Sequence, residues 1–414
     1  MKYWTFLLGL LMIFTGGRAQ KLATLTVELD RLALDMSIPV SINLDDVTFA
    51  PDSVLVLMEV WKNKRTTVPF QVVHGTHRSL VWFVTTGDRP SGKRSFELVY
   101  GRPPQYERLS ATSHDGALTI RRGEKNLLRY HYGMVYPPPG VDTVFRRSAF
   151  IHPLWSPRGQ ILTRIQAPDH YHHYGIWNSW TQVLYKGDTV DFWNLYKRQG
   201  TVRFAGFISL VEGPVFAEYD ALHEHVVFKK NRPEEVAMVE SQKVRIYYPN
   251  PERNCFIVDV TMTMNCAGND PFLILEYRYA GLGWRATEQW NRDNSEVITS
   301  TGKSRKEADG SKERWCIVQG DLEGGMAGVV MMSYPANYNH PEPMRIWPEN
   351  MNNTGDLFAS FTPVKDRDWL LKPGEPAVLR YRFLVFNGRY TAEQADAAWH
   401  YFTRPPAVTI KHTQ

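Results

Sequence analysis

A cluster of histidines is the part of this sequence best suited to chemistry. Residues 169–175 read Asp-His-Tyr-His-His-Tyr-Gly, and His152 lies shortly before them, so four of the thirteen histidines fall within 22 residues. Imidazole exchanges protons or binds metal ions near neutral pH more readily than any other side chain. The cluster therefore marks the predicted active site.

Strand alternation predicts how these histidines are arranged. Side chains two positions apart in an extended segment project to the same face, so His170 and His172 are expected to converge while His173 turns into the sheet or towards the opposite rim. Asp169 can orient a neighbouring imidazole by accepting its N–H. We predict that His170 and His172 are the catalytic proton-transfer residues.

A metal site is the alternative use of the same side chains. Three converging nitrogen or oxygen ligands are required, and His152, His170 and His172 could supply them, as could His223 and His225 at their H-x-H spacing. No H-E-x-x-H or other recognised metal spacing is present. We therefore favour acid–base chemistry without a cofactor, and we expect His223 and His225 at the surface or at a sheet rim.

Large aromatic residues surround the histidines, as in many sugar-binding sites, where an aromatic face packs on the C–H face of a pyranose. Six of them lie within forty residues, namely Trp155, Tyr171, Tyr174, Trp177, Trp180 and Trp193. Core packing is the competing explanation for most of them, and Trp177 is predicted to lie at the rim. This composition indicates a carbohydrate site rather than a nucleotide site.

Two later segments could complete the site. Glu276 is predicted to act as the partner acid or base, and Arg278 or Arg285 as a clamp for a substrate carboxylate or sulfate. A polar loop after residue 333 is a further candidate, because loops often carry functional residues. The predicted substrate-binding residues are His152, Asp169, His173, Trp177, Arg278, Arg285, His340 and Arg345.

The reaction type is open at this stage. Hydrolysis requires two carboxyl groups about 5 to 9.5 Å apart, for which Asp169, Glu276 and Glu342 are candidates. A mutarotase-like reaction would pair a histidine acid with a glutamate base. A lyase or dehydratase acting on uronic acids would combine a histidine or tyrosine base with an arginine, which the composition favours slightly. The alternative from another class is a non-catalytic glycan-binding protein.

The first nineteen residues predict export. A positive charge at Lys2, an apolar stretch over 4–15 and the small-residue site Gly17-Arg18-Ala19 are typical of a secretory signal peptide. The apolar stretch is shorter than the roughly twenty residues of a membrane span, and no later run reaches that length. We therefore predict a periplasmic or secreted protein that does not insert into a membrane.

Charge and cysteine content exclude other classes. The formal net charge of +5 is small, and there is no block of consecutive basic residues, so we expect no nucleic-acid partner. The three cysteines show no C-x-x-C spacing and predict neither a zinc site nor a disulfide framework. The predicted partner is an oligosaccharide or polysaccharide.

Hydrophobic periodicity predicts an all-β chain. Short alternating segments over 20–101, separated by Gly, Pro, Asn and Asp, indicate a small immunoglobulin-like sandwich, followed by a linker over 102–111. Longer strand candidates over 112–405 indicate a large antiparallel double-sheet sandwich. A single helix is predicted near the end, capped by Thr391 with Gln394 three residues later.

Three motifs carry a resemblance to a known family. They are Arg147-Ser148-x-x-Ile151-His152-Pro153-Leu154-x-x-Pro157-x-Gly159, Asp169-His170-x-His172-His173-x-Gly175 and Gly281-x-Gly283-Trp284-Arg285. Over 112–405 the chain resembles exported bacterial proteins of unknown function labelled "methane oxygenase PmoA-like". The resemblance implies a galactose-mutarotase-like supersandwich or jelly roll, and a polysaccharide-utilisation context in Bacteroidetes. Methane monooxygenase chemistry belongs to an integral membrane protein and is excluded by the lack of a spanning segment.

Overall fold

The computed structural model describes residues 20–30, 36–62, 64–87, 91–229, 233–248 and 253–413. Within these ranges the chain contains 31 strands, one α-helix and five 3₁₀ turns, and all strand pairs are antiparallel. The predicted all-β class with a single C-terminal helix is confirmed. The predicted signal peptide, residues 1–19, lies outside the described residues.

The N-terminal part is a two-sheet sandwich, as the alternation predicted. Its strands are β1 Lys21–Leu29, β2 Ser37–Asn43, β3 Leu55–Trp61, β4 Lys64–Thr67, β5 Phe70–Val73, β6 Ser79–Thr85 and β7 Gly92–Tyr100. The last strand of the chain, β31 Val408–His412, joins them at the edge of β1. One sheet has the order β31-β1-β7-β3-β4 and the other the order β2-β6-β5. Leu25 on β1 and Trp82 on β6 are buried between them.

The remaining strands build a larger sandwich and two small sheets. They are β8 Leu109–His114, β9 Ala117–Arg122, β10 Lys125–His131, β11 Phe150–Leu154, β12 Ile165–Ala167, β13 His170–Tyr174, β14 Ile176–Ser179, β15 Val183–Tyr185, β16 Asp188–Val190, β17 Gly200–Val211, β18 Phe216–Val227, β19 Glu235–Tyr247, β20 Cys255–Cys266, β21 Phe272–Ile274, β22 Gly281–Arg285, β23 Ser295–Thr299, β24 Lys312–Glu313, β25 Trp315–Gly320, β26 Ala327–Ser333, β27 Glu342–Ile346, β28 Phe358–Phe361, β29 Trp369–Leu371 and β30 Ala377–Asn387.

Two large sheets face each other across the main core. A nine-stranded sheet has the order β24-β27-β28-β22-β14-β11-β10-β9-β8, and an eight-stranded sheet has the order β17-β18-β19-β20-β30-β26-β25-β23. Ile120 and Trp284 of the first sheet share one hydrophobic cluster with Val244 and Phe383 of the second. This is the predicted antiparallel double-sheet sandwich.

Strands β25 and β26 of the eight-stranded sheet are buried on both faces. Along β26, Val329 and Met331 point into the main core, whereas Val330 and Met332 pack with the N-terminal sandwich. Strands buried on both sides are apolar at consecutive positions rather than alternating. The N-terminal sandwich shares a core with this sheet, so the structure does not divide the chain into two separate domains at residue 101. The predicted domain boundary therefore stays a prediction.

The helix α1, Ala392–Thr403, covers the same outer face. Thr391 caps it through the predicted capping box with Gln394, and Ala395, Ala398 and Tyr401 are buried in the shared cluster. In the part of the chain that the structure describes, no helix is long and apolar enough to cross a membrane.

Candidate functional site

The histidine cluster lies in a cavity of about 620 Å³ on the outer face of the nine-stranded sheet. The two-stranded sheet formed by β12 and β13 carries the histidines over this face. Gln166 and Gly175 have positive φ values of 50° and 58° at either end of this hairpin. A Cβ on Gly175 would lie 2.2 Å from the carbonyl oxygen of Ile151, so only glycine allows β13 to sit this close to β11.

The three histidines of the motif at 169–175 lie together. The ring centroids of His170 and His172 are 5.3 Å apart, and that of His173 is 4.7 Å from each of them. All three line the cavity. His173 packs on Trp177 and Phe358 of the nine-stranded sheet, in agreement with the prediction that it turns into the sheet, and it still contacts both other imidazoles.

Asp169 and His170 form an oriented acid–base pair. The Nδ1 atom of His170 lies 2.7 Å from Oδ2 of Asp169, which leaves Nε2 for a ligand. Asp169 also accepts hydrogen bonds from Arg285 Nη2 at 3.0 Å and from Asn352 Nδ2 at 2.8 Å. Burial opposes ionisation of Asp169, but the His170 hydrogen bond and the Arg285 charge outweigh it and hold the pKa well below its usual range.

His172 and His173 differ from His170 in their environment. Burial, together with the neighbouring imidazoles, lowers the pKa of His172 to about 3 and that of His173 well below its ordinary value. Both rings are therefore neutral at neutral pH, where each can donate one hydrogen bond and accept another.

An aromatic cluster forms the floor of the cavity. The His173 ring packs against Trp177, Trp347 and Phe358 at centroid distances of 5.0 to 5.4 Å. Trp177 is only 1% exposed, so its predicted position at the rim is wrong. It lies beneath the histidines because its strand β14 runs through the middle of the sheet, and Trp193 is the tryptophan that lines the cavity.

Three cationic side chains line the cavity, and two of them form ion pairs with carboxylates. Lys197 Nζ lies 2.8 Å from Oδ2 of Asp191, and Arg345 Nη1 lies 3.0 Å from Oδ2 of Asp309. Arg278 is exposed, lies over the Tyr279 ring at 5.6 Å and has no carboxylate partner among the described residues. The cavity therefore carries an uncompensated positive charge at Arg278.

Four predicted residues take other positions. Arg285 is 1% exposed and lies beneath the cavity, where it stacks on Trp347 and binds Asp169, so it positions the pair rather than clamping a ligand. Glu276 is exposed outside the cavity lining. His152 lines a separate cavity of about 380 Å³, where burial lowers its pKa to about 4. His340 bonds Ser333 and stacks on Trp399.

A buried polar network lies between the two large sheets, behind the cavity floor. The carboxylate of Glu240 contacts His223 at 3.3 Å and His225 at 3.1 Å and accepts a hydrogen bond from Asn178 at 2.6 Å. His223 and His225 are at most 1% exposed, so the prediction of a rim position is wrong. Arg147 is also fully buried, and desolvation lowers its pKa to about 10.

A second buried carboxyl group lies in the predicted polar loop. Glu342 is fully buried and accepts hydrogen bonds from Ser333, from Tyr381 at 2.6 Å and from Asn337 at 3.0 Å. Burial nevertheless raises its pKa to about 7. Glu342 does not line the cavity, so it cannot serve there as a hydrolytic acid.

The predicted metal ligands are not brought together. His152 lies in a different cavity from His170 and His172. Within the described residues no group of three His, Cys, Asp or Glu side chains is arranged to hold a metal ion. The structure describes Cys255, Cys266 and Cys316, and no disulfide joins any two of them.

Several cavity residues carried no sequence signal of function. Tyr277 and Tyr279 line the cavity, and Tyr279 accepts hydrogen bonds from Arg345 and Trp347, each at 2.8 Å. Buried Asp191 accepts hydrogen bonds from the backbone N–H groups of Trp193 and Asn194. The one signal in the sequence that could have indicated Tyr277 and Tyr279 was that residues 277–279 lie next to the motif at 281–285.

Comparisons with known proteins give distant likenesses. No curated protein matches the chain. Among solved structures, a mutant of the heparan sulfate lyase HepC from Pedobacter heparinus is 9% identical over 74% of this chain, with a TM-score of 0.34, and the match spans only 39% of the lyase. A protein assigned as an aldose 1-epimerase from Klebsiella pneumoniae subsp. pneumoniae is 10% identical over 91% of this chain and 94% of its own, with a TM-score of 0.31. At TM-scores below 0.5, neither likeness indicates what this chain does.

A family model gives the firmer result. It is described as "Family of unknown function (DUF6807)" and matches residues 117–400, close to the 112–405 over which the motifs indicated a family. The match says nothing of the PmoA-like label or of polysaccharide utilisation, and both stay predictions. Since the matched residues form most of the chain and include every histidine of the cavity, the protein belongs to the DUF6807 family, whose function is unknown.

Proposed function

We propose that this protein is an exported enzyme that acts on acidic, polysaccharide-derived oligosaccharides by proton transfer. The observation that carries the proposal is the Asp169–His170 pair in the wall of a cavity that also presents the unpaired guanidinium of Arg278. An imidazole oriented by a carboxylate is a general base, and a guanidinium is the preferred partner of a carboxylate or sulfate.

His170 is the proton-transfer residue of the proposed mechanism. His172, which the sequence made an equal candidate, stays neutral because burial lowers its pKa to about 3. An imidazole with so low a pKa is a weak base, so His172 can hold a hydroxyl group but is poorly suited to taking a proton from carbon. Glu276 has no part in the mechanism, because it does not line the cavity.

Elimination or dehydration on a uronic acid suits this arrangement better than hydrolysis. Of the described residues, Asp169 is the sole carboxylate lining the cavity, and it already accepts hydrogen bonds from Arg285 and its other donors. Hydrolysis requires a second carboxyl group, which the cavity lining does not supply. In an elimination, Arg278 neutralises the sugar carboxylate and His170 takes the neighbouring C5 proton. The C4–O bond then breaks, the protonated His170 returns the proton to the departing oxygen, and a C4–C5 double bond remains.

A non-catalytic glycan-binding protein is the second candidate. The neutral His172 and His173 above an aromatic floor are well suited to holding sugar hydroxyls without reaction. Saturable binding without any chemical change of the sugar would favour this candidate over the enzyme.

The test compares two histidine–aspartate pairs of the same chain. His170→Gln is expected to reduce turnover about 10² to 10⁴-fold, the usual contribution of a general acid or base, with a melting temperature within a few degrees of the parent. His114→Gln alters an exposed pair with Asp115 at 3.0 Å and is the matched control. Mass spectrometry of size-defined oligouronides distinguishes loss of water, gain of water and no change. Undiminished turnover by the His170 variant would remove the assignment.

A further inference from the structure

A second cavity of about 360 Å³ adjoins the site across a thin wall. The wall consists of two 3₁₀ turns, Thr143–Phe145 and Leu195–Lys197. Phe145 and Lys197 line the histidine cavity, whereas Val144 and Leu195 line the second cavity. The two cavities are therefore neighbours that share the same pair of turns.

The second cavity also presents a guanidinium without a direct partner. Its arginines are Arg146, Arg198 and Arg203, of which Arg198 pairs with Asp142, and Arg203 lies 2.9 Å from both Glu224 and Glu234. Arg146 is exposed and has no carboxylate partner within the described ranges. Each cavity therefore holds one free guanidinium, Arg278 in the first and Arg146 in the second.

The wall between them carries an exposed aromatic ring. Tyr196 belongs to the turn Leu195–Lys197, lines the histidine cavity and is 56% exposed. An exposed tyrosine on a rigid turn offers a flat apolar face with a polar edge, which suits a sugar ring. Asp191 anchors this turn from below through Lys197 and Asn194.

We infer that the second cavity is a subsite for another acidic unit of the same oligosaccharide. The chain crosses the wall over Tyr196, with the reacting unit at His170 and a neighbouring carboxylate or sulfate at Arg146. This inference rests on the proposed function and adds that the substrate is a polyanionic chain of at least two acidic units. Binding energy from such a remote unit improves recognition of chains over single sugars.

The experiment measures how the loss of the Arg146 charge changes kcat/KM for oligosaccharides of different length. Arg146→Gln is assayed on oligouronides of one, two and four units, with Arg404→Gln, an exposed arginine outside both cavities, as the matched control. We expect kcat/KM to fall about tenfold for the tetramer, mainly through KM, and clearly less for the single unit. The control is expected to match the parent at every length.

A binding arm separates the inference from the proposed function. In the His170→Gln background, dissociation constants are measured for the same oligouronides and for uncharged cello-oligosaccharides of equal length. The subsite is supported if the tetramer binds more tightly than the single unit and Arg146→Gln removes this gain in affinity. This result would support the subsite even if no turnover is found. An equal effect of Arg146→Gln at all lengths, or none, overturns the subsite while leaving the proposed function intact. Failure of every acidic sugar to bind overturns both.

Discussion

At the scale of single residues, environment rather than residue type separates the three clustered histidines. His170 is held by an ionised carboxylate, whereas His172 and His173 are desolvated, His173 against the rings of the cavity floor. The sequence supplied the imidazoles and the neighbouring Asp169, and these do lie together. It could not tell which imidazoles are desolvated, because burial is set by residues distant in the chain, such as Trp347 and Phe358.

The buried carboxyl group of Glu342 also has a pKa that is set by its environment, and its protonation can be tested. Its pKa rises from an ordinary value near 4.5 to about 7 in the folded protein. A raised folded pKa contributes stability at low pH, and this stability is lost as pH rises from about 4.5 to about 7. We expect the stability of the parent relative to Glu342→Gln to decline by a few kcal/mol across that interval.

Urea unfolding at pH 4.5, 6 and 7.5 measures this difference. Glu375→Gln is the control, because Glu375 is exposed on a surface turn and pairs weakly with Lys372 at 3.7 Å. A Glu342 variant whose stability relative to the parent is the same at all three pH values would contradict the assigned protonation.

At the scale of elements, patterns with strong periodicity were predicted well and buried polar strands were not. Alternation along β1 and the capping box of α1 gave the correct element type. The His223-x-His225 pattern on β18 suggested a rim, but β18 lies inside the sheet and its inner face meets Glu240. A buried ion network resembles a solvated face in sequence, because both use the same residue types.

The hairpin that carries the histidines depends on Gly175, which gives a prediction at this scale. Gly175→Ala combines a positive φ with a contact of 2.2 Å to a backbone carbonyl oxygen. Gly187→Ala, at φ +86° with no atom within 4 Å, isolates the backbone strain alone and is expected to cost about 1 to 2 kcal/mol. We expect Gly175→Ala to cost clearly more and to reduce activity or ligand binding as well.

Thermal unfolding and the assay of the site measure both effects. Equal losses of stability in the two alanine variants would show that the close approach of β13 to β11 is not needed. Full function in a destabilised Gly175 variant would show that the hairpin tolerates displacement.

At the scale of the whole molecule, the large and small sandwiches share one core. Trp315 and Met332 of the eight-stranded sheet pack in the same cluster as Trp82 and Leu98 of the N-terminal sandwich. Composition and periodicity distinguished the two parts but could not reveal this contact, because the residues are more than two hundred positions apart.

A shared core predicts a single cooperative unfolding transition. Trp82→Ala is expected to cost about 3 to 5 kcal/mol and to lower the melting temperature of the entire protein. Phe49→Ala, at an 84% exposed position in the same part of the chain, is the control and should have little effect. Calorimetry that resolves two transitions, of which Trp82→Ala moves only one, would contradict this coupling.

Strand β31 has a further consequence, which concerns the order of events during folding. Ala23 near the start of the described chain pairs with His412 near its end, so the edge of the first sheet is supplied by the strand that follows all the others in the described residues. Pairings between such distant segments require closure of a very long loop before any contact compensates for the lost chain entropy. The first sheet therefore cannot be completed along β1 until the whole segment between β1 and β31 has been synthesised.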